Sequence, residues 1–99
     1  KINPRDTDVL NNLGTVLKKQ GDLDAAGQQF VRVLSIYPQN AAALNNLGLI
    51  LMSRGQLDAA YRHFTRALKI NPNLEEARRN LEVLERKRSN ITTPSAEEN

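Results

Sequence analysis

Three asparagines, Asn12, Asn46 and Asn80, stand 34 residues apart in this 99-residue chain. A side-chain amide carries both a donor and an acceptor. A row of such amides on one face can bond the main chain of an extended peptide while ignoring its sequence. That is binding chemistry, and residues suited to catalysis are few. His63 is the only histidine and there are no cysteines, so thiolate zinc sites, disulfides and cysteine nucleophiles are excluded. His63 has no second histidine or carboxylate at ligand spacing, which argues against a metal site. Ser35, Ser53 and Ser89 have no base beside them in sequence, so a nucleophile has no candidate. The five glycines form no phosphate-binding loop. Paired carboxylates, Glu75-Glu76 and Glu82 with Glu85, read as solvated helix faces. We expect no enzyme activity, no catalytic residue and no cofactor.

The spacing of the asparagines is the spacing of the whole chain. Residues 7–40 align with 41–74 without a gap, and 16 of the 34 positions are identical. Leu10-Asn11-Asn12-Leu13-Gly14 returns as Leu44-Asn45-Asn46-Leu47-Gly48, and Leu23-Asp24-Ala25-Ala26 as Leu57-Asp58-Ala59-Ala60. Phe30, Arg32, Leu34, Ile36 and Pro38 return as Phe64, Arg66, Leu68, Ile70 and Pro72. Self-similarity at this period marks stacked repeats, each too small to bury its own apolar face.

Each unit reads as two helices. Val9, Leu10, Leu13, Val16 and Leu17 recur at helical spacing, with Asp6 as N-cap. Gly21-Asp22 breaks the pattern, and Leu23, Ala26, Phe30, Val33 and Leu34 form a second stripe ended by Pro38. Unit two repeats the plan around Gly55 and Pro72. A third unit begins at residue 75 but carries Glu82 and Glu85 where the earlier units have glycine and leucine. Its stripe of Ala77, Leu81 and Leu84 suits a capping helix, apolar on one side and wet on the other. We therefore expect an all-α solenoid: residues 1–6 a remnant of a preceding repeat, repeats at 7–40 and 41–74, a capping helix at 75–88, and a disordered tail at 89–99. Lys1-Ile2-Asn3-Pro4 matches Lys69-Ile70-Asn71-Pro72, which suggests that the apolar face of the first helix evolved to be covered and favours self-association.

Composition sets the remaining bounds. Aromatics are 4%, so the core must rest on aliphatic residues. A net charge of +3 is too modest to argue for nucleic acid. No apolar run approaches membrane-spanning length. The compartment is open, with a soluble cytoplasmic setting as the working expectation. Arg86-Lys87-Arg88 reads as complementing a helix C-terminal dipole. Asn90-Ile91-Thr92 fits the glycosylation acceptor pattern and falls in the expected tail.

Leu13-Gly14, Ala26-x₃-Phe30 and Pro38, with Leu47-Gly48, Ala60-x₃-Phe64 and Pro72, resemble the tetratricopeptide repeat family. Leu10, Leu44, Leu17 and Leu51 replace that family's large aromatics. The resemblance implies antiparallel helix pairs in a right-handed superhelix, with the first helix of each pair on the concave side. The Asn-Leu-Gly context is similar to the asparagine ladder in the repeat arm of O-linked N-acetylglucosamine transferases. A chaperone-type carboxylate clamp is not expected, because Asn11, Thr15 and Glu76 occupy its slots and only Asn46 fits.

Helical spacing then places the remaining groove residues. Asn11, Thr15, Lys18 and Lys19 come from unit one, Asn45, Leu49 and Met52 from unit two, and Arg79, Val83 and Arg86 from the cap. Met is an adaptable contact residue, and the flanking cations suit an acidic ligand with an apolar anchor. The expected function is a protein-interaction scaffold holding an extended peptide or partner helix. The alternatives are a self-association module, or the substrate-recruiting arm of a larger enzyme such as a glycosyltransferase.

Overall fold

A computed structural model describes residues 6–92, with backbone alone for 90–92. Residues 1–5 of the expected remnant, and the expected tail from residue 93 on, lie outside the described residues. Five helices follow one another: α1 (Thr7–Lys19), α2 (Leu23–Ile36), α3 (Ala41–Ser53), α4 (Leu57–Ile70) and α5 (Glu75–Thr92). α1 packs on α2 and α3 on α4, and α2–α3 and α4–α5 contacts join the pairs. The fold is an all-α stack of helical hairpins.

Local chemistry sets the turns. After α1, Gly21 takes φ 88°, a left-handed conformation that glycine enters without a side-chain penalty. Its N–H donates to Lys18 O at 3.0 Å and Asp22 N–H to Leu17 O at 2.9 Å, the paired bonds of a Schellman motif. Gly55 (φ 80°) repeats it, with Gly55 N–H donating to Met52 O at 3.0 Å and Gln56 N–H to Leu51 O at 2.9 Å. Asp22 then caps α2 by accepting from Ala25 N at 3.3 Å, and Asn40 caps α3 by accepting from Ala43 N at 2.9 Å. Asp6 holds the N-cap position of α1, but its side chain makes no cap hydrogen bond.

The core is layered by unit. Ala26, Phe30, Val33, Ala43 and Ile50 close the first layer. Leu44, Ala67 and Ala77 form the middle, and Ala60, Phe64 and Leu84 the last. The first helices of successive units also touch, α1 to α3 and α3 to α5, whereas α2 and α4 make at most marginal contact. The stack therefore curves, with α1, α3 and α5 on the inner side.

Two sequence expectations are corrected at the cap. The helix does not stop at residue 88 but runs to Thr92, so Asn90-Ile91-Thr92 is helical and not part of a tail. Arg86, Lys87 and Arg88 are then not a last turn, and their role is not to complement a helix end. Arg88 lies instead over the Tyr61 ring, 4.7 Å from its centroid, and pairs with Asp58 at 3.5 Å.

Candidate interaction surface

The inner helices place the asparagines in two classes. Positions 11 and 45 turn toward the next helix. Asn45 is 2% exposed, and its Oδ1 accepts from Asn80 Nδ2 at 2.9 Å, joining α3 to α5. Asn11 Nδ2 donates to Asn40 Oδ1 at 3.3 Å, joining α1 to the cap of α3. Asn45 is therefore corrected from groove contact to interhelical bond. Its amide is committed because water does not reach it, and a buried polar group needs a protein partner.

Asn12 and Asn46 occupy the adjacent helical position and differ in outcome. Asn12 is exposed and Asn46 half-buried. Neither amide bonds another described residue. Asn80 shares their register, but its Nδ2 is spent on Asn45. One period thus yields two uncommitted amides and a third held by the fold.

The other expected residues are dispersed along the same helices. Thr15 is half-buried, and its hydroxyl donates back to Asn11 O at 2.9 Å. Leu49 and Met52 are half-buried at the centre and pack against the last core layer. Arg79, Val83 and Arg86 are exposed on α5. At the other end Lys19 is exposed and Lys18 half-buried. Burial holds the Lys18 ammonium below its ordinary pKa of 10.5, the Glu76 carboxylate pulls it back up, and Lys19 pushes it down. Glu76 is thus electrostatically coupled to α1, not only a solvated residue of an outer face.

Two family models, both described as tetratricopeptide repeat, match residues 7–40 and residues 41–74. Together they cover more than half of the chain. The chain belongs to the tetratricopeptide repeat family. No curated protein matches it. Tetratricopeptide repeats generally mediate protein–protein interaction and are generally scaffolds, which agrees with a surface rich in amides and poor in reactive groups.

No group of three or more His, Cys, Asp or Glu side chains able to hold a metal occurs among the described residues. His63 is half-buried, and its Nδ1 lies 2.9 Å from Ala59 O. Among the described residues, no helix is long and apolar enough to cross a membrane.

Sequence reasoning did not find the seam between α2 and α3. There Gly27, Val31, Leu47, Ile50 and Arg54 border an open cleft. The signal was present as a glycine at the position where the second repeat has a tyrosine.

Proposed function

We propose that this chain is a peptide-binding scaffold that holds an extended polypeptide along the inner faces of α1, α3 and α5. Asn12 and Asn46 bond the guest's main chain. Leu49 and Met52 receive an apolar side chain between them. Lys18 and Lys19 at one end, and Arg79 and Arg86 at the other, attract acidic groups. The observation that carries this reading is the contrast between neighbouring asparagines. Asn45 is sealed and bonded, whereas Asn12 and Asn46, one residue on from Asn11 and Asn45, keep their amides uncommitted. A guest backbone supplies the alternating donors and acceptors that such amides match. The lowered pKa of Lys18 adds to it, since a partly desolvated ammonium gains from a carboxylate brought by a ligand.

A peptide selected from a displayed random library tests the reading. The Asn12→Ala, Asn46→Ala double variant should lose at least tenfold in affinity, about 1.4 kcal/mol. Equal affinity places binding on another surface. Reversing the peptide's charges tests the acidic preference separately.

A second reading, self-association through α1, has its own observation. Val9, Leu13 and Val16 on α1 are 62%, 44% and 49% exposed. Their counterparts one period on, Ala43, Leu47 and Ile50, belong to or pack against the first core layer. One more period on, Ala77 and Leu84 are fully buried. α1 thus presents the stripe that α3 and α5 bury against a second helix. The role of recruiting arm for a larger enzyme remains an extension of the scaffold reading, tested in the parent protein.

A further inference from the structure

Gly27 on α2 and Tyr61 on α4 occupy the same position of the two repeats. In the second repeat the ring fills the seam between α4 and α5. Tyr61 packs against Ala60, Phe64 and Leu84, with the Arg88 guanidinium over its face, 4.7 Å from the centroid. Asp58 holds the same guanidinium at 3.5 Å.

The first repeat reproduces this arrangement without the ring. Arg54 is the counterpart of Arg88 and Asp24 of Asp58, and the two form the equivalent ion pair. Leu47 and Ile50 stand where Leu81 and Leu84 stand. At Gly27 there is no side chain, and a Cβ there would come no closer than 3.9 Å to Leu47 Cδ1 and 4.0 Å to Ile50 Cδ1. The result is an open cleft of about 780 Å³ along the α2–α3 seam. Val31, 53% exposed, adds an apolar wall where the second repeat has Thr65.

We infer that this cleft is a docking site for a tyrosine side chain of a partner polypeptide, seated at Gly27 with its ring under Arg54. The second repeat shows the fit within the same chain. Leu47, Ile50 and Leu51 supply an apolar floor, and a guanidinium already held in place by Asp24 supplies the cation for a ring face. An aliphatic guest would fill the space but forgo the cation–π attraction. The choice of tyrosine rests on the occupant of the equivalent seam, where Tyr61 packs on the last core layer under the Arg88 guanidinium. The site uses none of the residues of the inner face, so it stands or falls apart from the scaffold reading above.

The test is an amide-resolved NMR titration of the isotope-labelled chain with N-acetyl-tyrosinamide, with N-acetyl-leucinamide as the aliphatic control. Tyrosinamide should give saturable shifts centred on Gly27, Leu47 and Arg54 with a millimolar dissociation constant, the scale set for so small a ligand. Leucinamide should bind about fivefold more weakly, the share of a cation–π contact. Gly27→Tyr supplies the ring internally and should abolish binding. Arg54→Ala, an exposed position, should weaken tyrosinamide several-fold with helix content unchanged, which keeps the test decisive if Gly27→Tyr fails to fold. Shifts that do not saturate, shifts centred elsewhere, equal affinity for the two amides, or undiminished binding to Arg54→Ala would each overturn the inference.

Discussion

Gly14 and Phe30 fit together with no room for a methyl group: a Cβ at Gly14 would stand 2.7 Å from Phe30 Cε1 and Cζ. Gly48 and Phe64 repeat the relationship, with the nearest ring carbon also at 2.7 Å. Both rings are fully buried and cannot swing away. Each hairpin's two helices therefore approach as closely as they do only because glycine faces the ring.

Gly14→Ala and Gly48→Ala should both destabilise. Alanine gains about 1 kcal/mol of helix propensity over glycine, but overpacking a filled core costs about 1–3 kcal/mol. The net loss expected is about 1 kcal/mol in each, read from urea midpoints at unchanged m. A gain in either variant would show that the ring yields.

Gly27→Ala should go the other way. It is also a helical glycine, but its added Cβ meets only ordinary contacts at 3.9 Å and 4.0 Å. Propensity then acts unopposed, and stability should rise by up to about 1 kcal/mol. A midpoint at or below wild type would refute the claim that the seam is open there.

Much of the fold was legible because the chain states it twice. Gly21 and Gly55 mark the turns inside each hairpin, Pro38 and Pro72 the ends, and Phe30 and Phe64 the centres of two layers. The continuation of α5 past residue 88 was not legible, because Ser89-Asn90-Ile91-Thr92 carries no apolar stripe at helical spacing. The asparagines were half legible. Period alone puts Asn11 with Asn45 and Asn12 with Asn46, but adjacent helical positions differ by about 100°. Which of the two turns inward depends on the crossing of α3 and α5. The cleft at Gly27 is visible only when the two repeats are compared through their contacts.

Asn80→Ala should cost stability where Asn12→Ala does not. Removing the Asn80 amide leaves the buried Asn45 Oδ1 without its donor, a loss of about 1–3 kcal/mol. Asn12 is exposed and makes no such bond, so its change should fall within about 0.5 kcal/mol. A double-mutant cycle on Asn45 and Asn80 should return a coupling of at least about 0.5 kcal/mol. Strict additivity would mean the bond contributes nothing. The same difference is why Asn80 is left out of the binding variant proposed above.

Lys18→Met tests the inner face by pH. The folded chain holds Lys18 below its ordinary value of 10.5, first because burial penalises the charge, with Lys19 adding and Glu76 opposing. Between the lowered and ordinary values the unfolded chain binds more protons, so this group makes stability rise with pH there. Below the lowered value its penalty is constant. Methionine removes the charge and keeps the apolar stem, so Lys18→Met should be more stable than wild type near neutrality. Its advantage should shrink as pH rises from neutrality to the ordinary value of 10.5, because the lowered value of the folded chain is passed on the way. Denaturant midpoints of both proteins at the two pH values check this, and a gap that widens with pH would refute it.

Leu13→Glu asks whether the bare face of α1 associates. Val9, Leu13 and Val16 lie on one face at helical spacing, with Leu13 at the centre, and all three are exposed. Grouped apolar exposure of this kind favours contact with another surface, and a carboxylate at its centre would be desolvated by any such contact. Wild-type chain should therefore sediment with a mass that rises with concentration, and Leu13→Glu should stay monomeric over the same range. Leu13 is 44% exposed, so the glutamate can reach water in the monomer and helix content should be preserved. A wild-type mass independent of concentration would rule out self-association through α1, and equal association of both proteins would move the contact to another face.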